Sequence, residues 1–223
     1  LKPGWIDEWT PEEPIFWERI GKRIAWKNLL ISIPALHISF AVWMLWSAVA
    51  VNLNSVGYNF TVGQLFWLTA SPGLTGPTLR IFHSFIPSLI GGWKAHWINV
   101  STLLIPSVWL FFALRDPDTS WATFMVIGAL CGFGGGNFAS SMSNISAFFP
   151  AKQQGLSLGL NAGLGNLGVS VVQFITPLVM TGGIFGAIAG GSMLYQEGSV
   201  VKDVWLQNAA FVWIVPCVIV LVA

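Results

Sequence analysis

The residue with the clearest chemical potential in this sequence is a single arginine. Between Thr61 and Gly92 the chain reads TVGQLFWLTASPGLTGPTLRIFHSFIPSLIGG, and Arg80 is its only charged side chain. A guanidinium at mid-membrane depth costs about 2.5–3.5 kcal/mol, so such a group is retained where it faces a bundle interior or a cavity. No aspartate or glutamate occurs in the first five apolar segments, so no carboxylate there can neutralise it. Guanidinium is planar, permanently charged and donates hydrogen bonds in its own plane. That geometry matches a small planar oxyanion.

Amides and small residues surround this possibility. The segment GFGGGNFASSMSNISAFFP (132–150) carries Asn137, Ser140, Ser141 and Asn144 at i, i+3, i+4 and i+7, one polar stripe on a helix. Gly132, Gly136 and Ser140 form a small-xxx-small ridge beside it, which reads first as close helix packing. Asn137 divides evenly between packing and ligand contact. In GLSLGLNAGLGNLGVS (155–170), Gly155, Gly159 and Gly163 repeat every four residues. Gly159, Ala162, Gly163 and Asn166 share a face that a neighbour or a ligand can approach closely. A nucleotide-binding loop is excluded, because no strand precedes these glycines and no Walker lysine follows.

Other chemistries find less material. His83, three residues after Arg80, reads as a polar contact or as a proton relay, and His37 carries the same two readings; His96 reads as structural. Cys131 and Cys217 lie in apolar segments without metal-ligand spacing. No cofactor or metal site is expected, and the spans hold no acid pair or nucleophile–base set for an enzyme. A net charge of +1 gives no reason to expect nucleic acid.

These residues need elements to hold them. The 223 residues are 54% hydrophobic and 9% charged, against about 25% charged in a soluble domain, which makes this membrane composition. Runs near the ~20 residues that cross a bilayer fall at about 29–51, 61–90, 95–114, 120–149, 153–180 and 205–223. The fold class expected is all-α, a polytopic membrane protein with six transmembrane helices. Residues 1–27 form a tryptophan-rich lead-in, either amphipathic at the membrane surface or a solvated tail, and 28–223 form the bundle. Thr61 with Gln64 makes a capping-box pattern at the second span. Residues 181–204 read as a long external connection. Lys2, Arg19, Lys22, Arg23, Lys27, Lys94 and Lys152 fall on one side, against Arg115 and Lys202 on the other. The positive-inside rule then puts the N-terminus in the cytoplasm. The last span reaches Ala223 without a polar flank, so the chain is expected to be the first part of a longer protein.

Depth can be counted at about 1.5 Å per residue. Arg80 lies roughly 17 Å from Gly91, Phe138 roughly 17 Å from Phe149, Asn166 about 20 Å from Gln153 and Phe40 about 18 Å from Asn28. Four side chains on four helices therefore share one depth near mid-bilayer.

Five stretches carry a family resemblance: WTPEEPIFW (9–17), SFAVWMLWSAVAVNL (39–53), LRIFHSF (79–85), CGFGGGNFASSMSNISAFFP (131–150) and AGLGNLGVS (162–170). The chain resembles the nitrate/nitrite porter family of the major facilitator superfamily, and is similar to its bacterial NarK-type members. The resemblance implies a twelve-helix fold of two six-helix halves in the bacterial inner membrane. This chain would be the N-terminal half and would lack its C-terminal partner. The substrate implied is nitrate or nitrite, moved by alternating access and by exchange of one for the other. Arg80 would bind the anion, Phe138 would stack on its flat face, Asn166 would hydrogen-bond it and Phe40 would line the cavity. Ala162 stands where relatives often have glycine, and His83 where some have tyrosine. The rival readings are proton-coupled uptake, a carrier for another small anion, or a channel or sensor.

Overall fold

The computed structural model describes Ile6 and residues 8–222. Lys2 and the other lead-in residues 1–5 and 7 lie outside the described residues. The chain is 77% helical. Helix α1 (Pro14–Phe16), a π turn (Trp17–Gly21) and α2 (Lys22–Ala50) run on as one rod. Pro14 opens it, where a missing N–H and a fixed φ suit the first turn of a helix. The first helix thus starts well before residue 29.

Helix α3 (Val62–His83) begins at the capping box, with the Gln64 N–H donating to Thr61 Oγ1 at 3.3 Å and the Thr61 N–H to Gln64 Oε1 at 2.9 Å. The expected second span does not continue unbroken to residue 90. It stops at Ser84, and a short α4 (Ile86–Ile90) follows with Pro87 in its first turn. Pro87 has no N–H to give the His83 carbonyl and its ring crowds that carbonyl, which supports a break here. Gly91 then takes a left-handed φ of 86°, open to glycine at little cost, and the chain enters α5 (Gly92–Ala113).

Helices α6 (Trp121–Phe148) and α7 (Ala151–Met180) follow, separated only by Phe149 and Pro150. The expected external connection holds a one-turn α8 (Gly186–Ala189) and an antiparallel hairpin of β1 (Met193–Glu197) and β2 (Val200–Val204). Gly198, at φ 59°, supplies the left-handed residue of its two-residue turn. The last described element is α9 (Asn208–Val222).

Among the described residues, four stretches are long and apolar enough to cross a membrane: Pro14–Ala50, Gly92–Ala113, Trp121–Phe148 and Ala151–Met180. Helix α3 is not among them, because Gln64, Thr75, Thr78, Arg80 and His83 lower its hydropathy. The six-span expectation therefore meets four apolar helices.

Helix α6 packs along α3, α2 and α5, while α7 lies against α2. The main core gathers Leu45 and Trp46 of α2, Leu103 of α5, Phe124 and Ile127 of α6, and Trp213 of α9. A smaller core holds Trp17, Leu29, Ile145 and Phe149 at the opposite end. The lead-in docks there: Trp9 Nε1 donates to the Ala147 carbonyl at 3.1 Å, and its ring lies 5.0 Å from Phe148. In the α2–α3 connection, Tyr58 donates its hydroxyl to the Asp116 carbonyl at 2.8 Å. Burial, then the nearby Asp116 carboxylate, pushes that hydroxyl up to about 12, so it stays protonated as a donor.

Candidate functional site

Helix α3 carries Arg80 one turn before its end, and two glycines let the neighbouring helices come close to it. A Cβ on Gly76 of α3 would come within 2.9 Å of Trp43 Nε1, and one on Gly135 of α6 within 2.8 Å of Trp43 Cε2. The α3 backbone is also repaired locally. Pro72 removes the N–H that would bond the Leu68 carbonyl, and the Ser71 hydroxyl donates to that carbonyl at 3.0 Å.

The Arg80 side chain is half-buried. Its Nε donates to the Gly135 carbonyl at 2.9 Å. Its guanidinium carbon lies 5.0 Å from the centroid of the Phe138 ring and 5.5 Å from that of Trp43. Each ring face attracts the cation by about 0.5–2 kcal/mol. The ion pair found among the described residues is Lys22–Glu18, at 3.4 Å on the surface. No carboxylate pairs with Arg80 among the described residues, and its two terminal nitrogens carry no hydrogen bond there. The cation is therefore anchored through its Nε, while its two terminal nitrogens make no hydrogen bond among the described residues.

Three of the four residues counted to one depth come together. The Phe40 ring lies 5.8 Å from Phe138 and 5.8 Å from Trp43. Asn166 stands apart from this contact set: it is exposed on α7, and its amide has no partner among the described residues. Gly163 is exposed too, with nothing within 4 Å of where a Cβ would sit. The α7 face that packs on α2 is a different one, where Gly165 meets Leu36 and Gly168 meets the His37 carbonyl.

Asn137 is engaged elsewhere. Its amide nitrogen donates to Ser39 Oγ at 3.2 Å and to the Asn99 carbonyl at 3.0 Å, tying α6 to α2 and α5. It lines a cavity of about 930 Å³ with Ser39, Asn99 and Ser140, and Arg80 is not part of that lining. The rest of the polar stripe is also internal: Ser141 joins Ser32 at 2.8 Å and accepts from Asn161 at 2.8 Å, and Asn144 donates to Asn28 at 3.1 Å. His83 is buried beside the Phe133 ring, with Nδ1 unpartnered. His37 and His96 contact the backbone carbonyls of Leu164 and Val220.

Two members of the Arg80 set escape sequence reasoning. Trp43 reads as one more apolar residue, and only the spacing Phe40–Trp43, one turn apart on the same face, hints at it. The Gly135 carbonyl is a backbone atom with no signature in sequence.

No protein-family model matches the chain. It is 51% identical over 209 residues to "Nitrate/nitrite transporter NarU" of Salmonella typhimurium, covering 94% of this chain and 45% of that one. It is 49% identical over 209 residues to the protein of the same name in Escherichia coli, again covering 94% and 45%. Against "Probable nitrate/nitrite antiporter NarK2" of Thermus thermophilus the identity is 42% over 216 residues, covering 96% and 48%. The NarU and NarK nitrate/nitrite transporters are thus homologues of this chain along nearly its whole length. It spans about half the length of the curated relatives it matches. Within that family frame, Arg80, Phe138, Phe40 and Trp43 form a cationic, aromatic-lined contact point on a partly exposed face of α3 and α6.

Proposed function

We propose that this chain is the N-terminal half of a nitrate/nitrite transporter, working by alternating access and exchanging one anion for the other. It is read as a membrane carrier without enzymatic chemistry, set in the bacterial inner membrane with its N-terminus in the cytoplasm. Helices α3 and α9 complete a six-span set with the four apolar helices. At about 33 Å, the 22 residues of α3 are long enough to cross. Its lower hydropathy suits a helix that faces a cavity. The other six helices and a second half of the site would come from the rest of the transporter.

The observation that carries this reading is the Arg80 fork, stacked on aromatic faces and free of any carboxylate among the described residues. Nitrate and nitrite are flat, singly charged and rich in acceptors. Either would neutralise the guanidinium while lying against an aromatic wall, with Phe40 and Phe138 beside it. Asn166 and Gly163 supply an amide and a small surface from α7 as the halves rock around the anion. An empty site keeps its positive charge and resists closing away from water, which favours exchange over net uptake.

The test is Arg80→Lys in the complete transporter, assayed by labelled-nitrate counterflow in nitrite-loaded proteoliposomes. Lysine keeps the charge and loses the planar fork, so exchange should fall at least about tenfold. Wild-type exchange in this variant would overturn the reading. One observation favours a second mode, proton-coupled uptake: His83 is buried one turn from Arg80 with Nδ1 unpartnered. That mode predicts alkalinisation of the external medium during uptake, which exchange does not.

A further inference from the structure

Trp43 touches each part of the frame that holds Arg80. Its indole Nε1 donates to the Pro72 carbonyl of α3 at 2.8 Å. Its ring fills the space left by the missing side chains of Gly76 and Gly135, so it lies against the backbones of α3 and α6 together. One of those backbones carries Arg80, and the other supplies the Gly135 carbonyl that accepts from Arg80 Nε. The same indole lies 5.5 Å from the guanidinium carbon and braces Phe40 at 5.8 Å.

A guanidinium has two freedoms that matter for recognition: where its carbon sits and how its plane is tilted. The Nε bond to Gly135 limits the first. The second is set by the ring faces, and Trp43 is the one whose own orientation is locked, by a hydrogen bond and two glycine contacts. A fixed plane brings the two terminal nitrogens to two oxygens of a flat anion at once, whereas a spherical ion gains nothing from the plane being fixed.

We propose that Trp43 is a positioning residue that fixes the plane of the Arg80 fork and thereby favours flat oxyanions over spherical anions. This rests on Arg80 being the anion's partner, as set out above. A residue that merely filled space would change the amount of folded carrier and its maximal rate. A residue that orients the fork changes KM and anion preference.

The complete transporter, reconstituted in proteoliposomes, is compared as wild type, Trp43→Phe, Trp43→Leu and Arg80→Lys. Nitrate uptake is resolved into KM and maximal rate, and chloride is added as a competitor. Losing the ring in Trp43→Leu should raise the nitrate KM about tenfold, with the rate per reconstituted molecule little changed. Trp43→Phe keeps a ring and loses the bond to Pro72, and should raise KM about threefold. Chloride inhibition should hold steady, so the preference for nitrate narrows. Unchanged KM and preference in Trp43→Phe and Trp43→Leu overturn the inference, as does a loss confined to maximal rate. Should Trp43→Leu fail to accumulate, Trp43→Phe alone decides by the same criterion. Wild-type KM in Arg80→Lys overturns the anion reading itself; an inactive Arg80→Lys beside unaffected Trp43 variants overturns only the role of Trp43.

Discussion

Helices α6 and α7 both carry glycines at four-residue spacing, and the two sets meet opposite surroundings. On α6, Gly132, Gly135 and Gly136 are pressed against α3 and the Trp43 ring, and a Cβ at Gly132 would collide with the Thr75 hydroxyl. Thr75 donates to the Ala129 carbonyl at 2.8 Å across the same contact. On α7, Gly155, Gly159 and Gly163 have nothing within 4 Å of a Cβ. Small residues thus do two jobs here. One set brings two helices close enough for a backbone carbonyl to hold Arg80. The other leaves a smooth face that no described residue covers.

The widest separation should come from one substitution made on each helix. Gly132→Ala drives a methyl into Thr75 and to 2.9 Å from the Gly76 nitrogen, and neither backbone can yield cheaply. It should lower stability by about 2 kcal/mol. Gly159→Ala meets open space among the described residues and removes a flexible residue from a helix, for a gain of about 0.5–1 kcal/mol. Thermal unfolding of the complete transporter in detergent compares them. Equal losses would put a close neighbour on the α7 face and erase the contrast.

A second pair sharpens it with amides. Asn137→Leu removes the two buried hydrogen bonds that tie α6 to Ser39 and to the Asn99 carbonyl, while those groups keep their bonds to Ala35 and Thr102, for about 1–3 kcal/mol over the two bonds. Asn166→Leu removes an exposed amide without a partner among the described residues, so stability should hold while the nitrate KM rises. The same unfolding assay, paired with uptake kinetics, separates the two. A stable Asn137→Leu with a raised KM would reverse their roles and move Asn137 to the anion.

The asymmetry also marks where sequence is informative. The Thr61–Gln64 box and the turn at Pro150 were legible, because each follows from local rules of capping and proline sterics. Arg80 and Phe138 were counted to one depth by rise per residue, and they do meet, although the count for Arg80 ran from Gly91 across the break after His83. Contact between helices was not legible. Asn137 and Asn166 are the same residue type at similar depth, and only rotation about each axis buries one and exposes the other. The break after His83 needed Pro87 to be weighed above a continuous apolar run. The hairpin at 193–204 had a signal, the Gly198–Ser199 turn before the valine-bearing run VVKDV, overshadowed by the glycine count of the surrounding loop.

The smallest effect concerns how the two helices begin. Helix α6 caps itself: the Thr123 N–H donates to Ser120 Oγ at 3.2 Å. Helix α7 starts behind Pro150, which has no side-chain acceptor, and its first N–H, from Ala151, reaches Glu12 Oε1 at 2.8 Å instead. A carboxylate from the lead-in thus does for α7 what a local serine does for α6, with the helix dipole adding to the attraction. Glu12→Ala should cost about 0.3–1 kcal/mol, and Glu12→Gln less, because the amide keeps an acceptor and drops the charge. Hydrogen exchange locates the loss: protection should fall at Ala151 and the adjoining first-turn amides in Glu12→Ala and stay unchanged at Thr123. Ser120→Ala should give the mirror image. If Glu12→Ala leaves the Ala151 amide as protected as before, α7 is held at this end by the docking of Trp9 on Ala147 and Phe148, and the lead-in acts through its ring rather than its charge.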